Sequence, residues 1–434
     1  MDKMADVLGR AGAWCGQNKY LSAIKNAFQN FMPLTIAGAI GVLWCNVLVN
    51  DQTGLGLFFK PIMALDFLNP AFQAVNFCTI SCITVGITLG IAQEIGIWNM
   101  GAEKAGYIPG LVGLAAWLSV TNTSHMVDGA KEAFTGVAGN ELGATGLFTG
   151  MIIGVLSVEL FCFFEKQDAL KIKMPEQVPP GVARAFEVLV PATITLIITA
   201  CIGSACYNLT GLYLNDVIKN GIQGPLGAVG ATVPGVMIIY LVIMLFWLVG
   251  IHGNNMLSAV KEALFTPLAL ENVEAFNKHE TPKNIINMYA LQMWGEFGGS
   301  GVTIGLVIAI MIFGKREDNK AIATLSLVPG LFNINETVTF GIPMVLNPIL
   351  GIPFVVAPLV TIIIGYVLTV IGFCPVACLT VPWTTPPIVF GFLACGANVM
   401  GAVTQAILIV VSTVIYTPFL IAYEKYQNKQ AAEA

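Results

Sequence analysis

Apolar stretches of about 20 residues recur along nearly the whole chain, separated by polar or Pro- and Gly-rich breaks. A helix needs a run of about that length to cross a bilayer core. Candidate spans fall at 31–49, 72–93, 106–121, 143–164, 187–209, 233–251, 290–313, 354–373, 379–396 and 398–421. Four segments depart from this pattern. Residues 1–30 interleave Met4, Val7, Leu8, Trp14, Leu21, Ile24 and Phe28 with basic residues and read as an interfacial amphipathic helix. Asp6, Arg10, Lys19 and Lys25 interrupt this segment, so it lacks the short apolar core of a signal peptide. Residues 212–228 carry Asp216, Lys219, Asn220 and Gln223 and read as a helix on the outer surface. HGNNMLSAVKEALFTPLALENVEAF, from His252, is divided by Lys261 and Glu262 and interrupted by Pro267, and so reads as a re-entrant hairpin. PGLFNINETVTFGIPMVLNP, residues 329–348, is broken by Pro329, Gly330, Gly341, Pro343 and Pro348 and reads as a second hairpin entering from the opposite face. The expected fold is an all-α polytopic membrane protein with about ten transmembrane helices plus two re-entrant hairpins.

Placement of charge orients this pattern. The basic residues ahead of the first span put the N-terminus inside. The next cytoplasmic loop carries Lys166, Lys171, Lys173 and Arg184 beside Pro175, Pro179 and Pro180. It divides a first half at 1–164 from a second half at 187–434, with a linker at 165–186. Counting crossings then puts Lys315, Arg316, Glu317, Asp318 and Lys320 outside, against the positive-inside rule, and Lys425 and Lys429 inside with the C-terminus. The chain has 434 residues, 56% hydrophobic and 10% charged, which excludes an ordinary soluble domain. With a net charge of -5 it has no nucleic-acid footprint. Its cysteines lie mostly within spans, without CxxC pairs or Cys/His clusters, and read as small buried residues; no metal site or cofactor is expected. His125 falls in the polar 122–140 loop and reads as solvated.

Polar groups at membrane depth are expensive and gather in the second half, in GIHGNN (250–255), EFGGSGVT (296–303), NINE (333–336) and PWTTPP (382–387). Glu94 and Glu159 lie at span ends and read as interfacial. Two broken segments in one half point to a transport site near the midplane. A sugar needs carboxylate and amide oxygens, amide donors and an aromatic face. His252, Asn254, Asn255, Glu296, Asn333, Asn335, Glu336 and Trp383 supply such a set. Three alternatives stay open. Glu336 could pair with a Lys or Arg to lock two helices. Gly298, Gly299, Ser300 and Gly301 could serve helix packing instead of ligand approach, and Trp383 could be an interfacial belt residue.

GIHG, GGSG, PGLFNINE with FGIPMVLNP, and PWTTPP together resemble the membrane-embedded IIC component of the bacterial phosphoenolpyruvate-dependent sugar phosphotransferase system, in its lactose, cellobiose and N,N′-diacetylchitobiose group. The resemblance covers essentially the full chain. It implies a homodimer in the bacterial inner membrane, joined through the first half, with both termini cytoplasmic and a disaccharide held in the second half. A separate cytosolic IIB protein, itself charged by IIA, would phosphorylate the 6-hydroxyl. His252 and Glu336 would be the groups nearest that hydroxyl, and Trp383 would stack on a ring. Asn254, Asn255, Glu296, Gly298, Gly299, Ser300, Asn333 and Asn335 would line the pocket. Thr337 and Val302 stand where the family often has Pro and Ala. An ion-coupled secondary transporter is the alternative; Glu296 and Glu336 are the only mid-depth acids to support it. An intramembrane hydrolase would need a nucleophile–base pair or a metal motif, which the lone His252 does not supply.

Overall fold

The structure is a computed structural model that describes Arg10, Trp14 and residues 17–51, 55–125, 133–175, 177–342 and 344–433. Met4, Asp6, Val7, Leu8 and Pro343 of the sequence reading lie outside these residues. In chain order the helices used below are α1 (Lys19–Leu43), α2 (Ile83–Met100), α3 (Ile108–Val120), α4 (Ala144–Glu165), α5 (Pro180–Thr210), α6 (Val233–Leu248), α7 (Ser258–Asn277), α8 (Met288–Gly295), α9 (Ile304–Phe313), α10 (Glu317–Leu331), α11 (Glu336–Gly341), α12 (Gly351–Val370), α13 (Val389–Ala394) and α14 (Val399–Glu433). Among the described residues the sheet is limited to β1 (Ser124–His125) paired antiparallel with β2 (Phe134–Thr135).

Among these residues α1 with its extension to Leu48, α4, α5, α12 and α14 are each long and apolar enough to cross a membrane. Lys60–Ser81 with α2, and Met288–Val302 with α9, are bent pairs at 42° and 60°, while α3 and α6 are shorter apolar helices.

The chain packs as two compact units. One consists of Gln17–Gly38 and Ala74–Ala228; the other has Ala39–Gln73 and Val229–Ala434 as its main described parts. In the first unit α2, α3 and α4 pack on one another, with Ala116, Trp117, Val120 and Ile153 at the centre. Glu94 accepts from Asn26 Nδ2 (2.9 Å) and Glu159 pairs with Lys19 (2.6 Å). The 165–186 segment lies wholly within this unit. Its two ends are tied together, because the fully buried Glu165 pairs with Lys104 at 2.8 Å and with Arg184 at 2.9 Å. A buried carboxylate survives only with such compensation.

In the second unit α12 is central, packing on α6, α8 and α14, while α14 packs on α9. Two glycines allow close approaches between these helices. A side chain at Gly365 would meet the Trp294 indole, and one at Gly305 would meet Ser412.

Three expectations change here. The stretch from His252 is a short turn, Gly253–Met256, followed by α7 as one 20-residue helix with Pro267 inside it. Lys261 does not divide it, because its charge is compensated by Glu296. At 1.5 Å per residue α7 is about 30 Å long, so the break expected within it at Lys261, Glu262 and Pro267 does not occur. The 315–320 segment shares an end with the C-terminal part of α14: Glu424 accepts from the Lys315 N–H (2.8 Å) and Asn428 accepts from Arg316 Nη1 (2.8 Å). It cannot lie outside if the C-terminus lies inside. Finally, 379–396 is not a continuous helical span. Pro375, Pro382, Pro386 and Pro387 keep 374–388 irregular, and only the six residues of α13 are helical.

Candidate functional site

Four breaks in the second unit place the polar residues. After α6 the chain turns at Gly250 (φ +82°), and His252 caps the next turn, its Nδ1 accepting from the Asn255 N–H at 3.3 Å. Helix α8 starts at Asn287, whose Oδ1 accepts from the Tyr289 and Ala290 N–H groups (3.0 and 3.1 Å). It stops at Gly295, leaving Glu296 in the bend before α9. Helix α10 closes with a left-handed Asn333 (φ +62°), the Asn333 and Ile334 N–H groups donating to Gly330 O and Pro329 O at 3.1 and 3.0 Å. This is the Schellman closure, with Asn in the position that Gly usually takes. The PWTTPP loop enters α13 through Ile388 (φ +75°), where the buried Gln405 Oε1 accepts from the Ile388 and Gly391 N–H groups at 2.7 and 2.8 Å.

These breaks surround one cavity of about 560 Å³, within the size range of small-molecule sites. His252, Asn254, Asn255, Glu296, Gly299, Ser300, Asn333, Asn335, Glu336 and Trp383 all line it; Gly298 does not. Gln292, Phe297, Ile334, Phe390 and Gln405 line it too, and the sequence reading missed them. Gln292 had a usable signal, since it lies one helical turn before Glu296 and shares its face.

Hydrogen bonds sort the lining into groups that build the wall and groups free to meet a ligand. Asn333 belongs to the wall: its Oδ1 accepts from the Gly298 N–H (2.6 Å), and its Nδ2 donates to Thr385 O (3.1 Å) and to Trp383 O. It ties the GGSG loop to the PWTTPP loop. Asn335 does the same on its own side, with Nδ2 donating to Ser300 O (2.9 Å) and Thr339 Oγ1 (3.1 Å). Gln405 is likewise committed, its Nε2 donating to Met293 O at 3.2 Å. Asn254 is divided, since Nδ2 donates to Ser300 Oγ (3.2 Å) while its buried Oδ1 has no partner. Among the described residues the side chains of Gln292, Asn255 and Glu336 make no hydrogen bond within the protein.

Close packing accounts for the three GGSG glycines, one of which also borders the cavity. Side chains at Gly298 and Gly301 would collide with Ile304 and Phe354, and one at Gly299, on the cavity wall, with Asn335; all three glycines have positive φ.

Two charged centres face the cavity. At one, His252 Nε2 lies 3.9 Å from Glu336 Oε1, both side chains being partly exposed. Nδ1 accepts a backbone N–H, so the neutral ring carries its proton on Nε2. The ring rests on Trp247 at 4.4 Å between centroids. A hydroxyl about 2.8 Å from both groups could accept from Nε2–H and donate to the carboxylate, subtending about 90°. Among the described residues Glu336 has no Lys or Arg partner, so it does not lock helices by an ion pair. At the other centre Glu296 Oε1 accepts from Tyr240 (2.7 Å) and pairs with Lys261.

Comparison with known proteins agrees in extent. Residues 25–358 match the family described as "Phosphotransferase system, EIIC". The oligo-beta-mannoside-specific EIIC component of Bacillus subtilis (strain 168) is 32% identical over 429 residues, covering 98% of this chain and 94% of that one. The cellobiose-specific EIIC component of Lactococcus lactis subsp. lactis (strain IL1403) is 29% identical over 486 residues, covering 98% of each. The crystal structure of ChbC, the IIC component of the N,N′-diacetylchitobiose-specific phosphotransferase system, superposes with a TM-score of 0.88 at 30% identity over 97% of each chain. Sequence and architecture thus coincide along the whole chain, which belongs to the phosphotransferase-system EIIC family and is a sugar-specific permease of that system.

Proposed function

We propose that this permease binds a disaccharide in the cavity, cellobiose or N,N′-diacetylchitobiose ahead of lactose, and presents its 6-hydroxyl to a separate IIB protein charged by IIA. The observation that carries this reading is the pair of His252 Nε2 and Glu336 Oε1, 3.9 Å apart on the cavity wall, which can hold one hydroxyl between a donor and an acceptor. Transfer of a phosphoryl group depends on positioning and electrostatics more than on a strong base, and this pair supplies both. Trp383 offers its ring to a sugar face; Gln292, Asn255 and Asn254 Oδ1 are free for the remaining hydroxyl or acetamido groups. The full-length likeness to proteins named for cellobiose and for N,N′-diacetylchitobiose supports this choice of substrate.

We further propose about ten spans with two hairpins, both termini cytoplasmic, and a homodimer through residues before about 165 that leaves the second half to bind sugar. Engineered cysteine pairs in α2–α4 should then cross-link protomers, whereas cross-linking only through α6–α14 would refute the arrangement. The function is tested in sealed vesicles loaded with phosphorylated IIB. Cellobiose or diacetylchitobiose should appear inside only as the 6-phosphate, with no response to an ion gradient. Uptake of free sugar driven by an ion gradient would overturn the reading.

A further inference from the structure

Lys261 is 6% exposed on α7 and does not line the cavity. An ammonium so deeply placed needs compensation. Its partner is Glu296, across 35 residues of sequence, and the contact falls on Oε1 alone. The Tyr240 hydroxyl donates to the same oxygen at 2.7 Å, and the ammonium stands 5.7 Å from the Tyr240 ring centroid. Two donors from two helices, α6 and α7, therefore converge on one oxygen of a carboxylate that lines the cavity. Among the described residues Oε2 has no partner.

We propose that Lys261 is a positioning residue of the sugar site: with Tyr240 it fixes the Glu296 carboxylate by one oxygen and leaves the other for a sugar hydroxyl, without touching the sugar itself. The inference rests on the cavity being the sugar site. It explains why a lysine sits in the one stretch whose polarity seemed incompatible with a continuous helix. It also bears on phosphoryl transfer. Glu336 already brings a negative charge to the cavity, and an uncompensated second carboxylate would repel an incoming phosphoryl group. Lys261 makes Glu296 an acceptor without net charge. The charged and titratable groups that bear on Glu296 are Lys261 and Glu262 from α7, Tyr240 from α6, and His252.

The test is equilibrium sugar binding by the purified full-length protein, with cellobiose and diacetylchitobiose as probes. Binding by the wild type checks the cavity reading on its own, so the two failures are separable. Lys261→Met should weaken binding about ten- to a hundredfold, in the range of a charged hydrogen bond. Lys261→Arg should restore much of the affinity. Where Lys261→Met fails to fold, Glu296→Gln is compared with the double variant Lys261→Met/Glu296→Gln. If Lys261 acts through Glu296, removing it in the Glu296→Gln background weakens binding no further. Wild-type affinity in Lys261→Met, or a double variant much weaker than Glu296→Gln, would overturn the proposal.

Discussion

Asn333→Ala is the substitution that most directly tests how the cavity is held together. Its side chain makes three hydrogen bonds, from the Gly298 N–H and to Trp383 O and Thr385 O. All three partners are backbone groups on loops that lack regular hydrogen bonding of their own. At a net value of about 0.5–1.5 kcal/mol per bond, the part-buried setting puts the loss at about 2–4 kcal/mol. Ala at φ +62° adds about 1 kcal/mol, because only Gly and Asn adopt that conformation readily. Asn333→Asp is the sharper variant. It keeps an acceptor for Gly298 but turns a carboxylate oxygen toward two carbonyl oxygens, so it should be at least as damaging as Ala. Two readouts are needed, thermal unfolding in detergent and sugar affinity by tryptophan fluorescence. Both should fall together, since the loop carrying Trp383 loses its tie. If Asn333→Ala retained wild-type melting and lost only affinity, Asn333 would be a direct sugar ligand and the tie would be unimportant.

Glu336→Gln should weaken sugar binding by about 1.5 kcal/mol, the lower end for a charged hydrogen bond because the side chain is half exposed. It should also slow phosphorylation of bound sugar by about 10² or more, measured at saturating sugar with phosphorylated IIB; an unchanged rate would leave Glu336 a binding residue only. Gln405→Leu strands the Ile388 and Gly391 N–H groups in a site only 1% exposed, and should cost about 2–4 kcal/mol of stability. An unaltered melting temperature would contradict that. A cross-link tethering the site-bearing half to the first half should block transport while leaving sugar binding measurable, and undiminished transport would argue against relative movement of the halves.

Much of the cavity was legible in the sequence because its polar residues stand where hydrocarbon surrounds them. His252, Glu296, Glu336 and the asparagines announced themselves by cost alone. Their division of labour did not. Asn333 and Asn254 look alike as residues, yet one is committed to backbone while the other keeps an oxygen free, and only the loop geometry separates them. Phe297 and Phe390 could not be singled out among 25 phenylalanines in an apolar chain. The lock imagined for Glu336 exists, but at Glu296, because the Lys261 pair is a long-range contact with no local signature. The same missing contact made α7 look interrupted at Lys261. At 379–396 the run of apolar residues predicted a span, and the prolines, which act through absent N–H groups, decided otherwise.

The crowding around Gly298, Gly299 and Gly301 limits how this permease can change its preference for sugars. Any side chain there strikes Ile304, Asn335 or Phe354 and must also adopt a left-handed backbone. Mutation therefore cannot explore that stretch of wall by single steps, although Gly299 and Ser300 border the cavity itself. Adaptation to a new sugar is channelled toward positions where a side chain already projects with unused bonding capacity, Gln292 and Asn255 first among them. A library that randomises those two positions should yield altered sugar preference far more often than one of equal size aimed at the glycines.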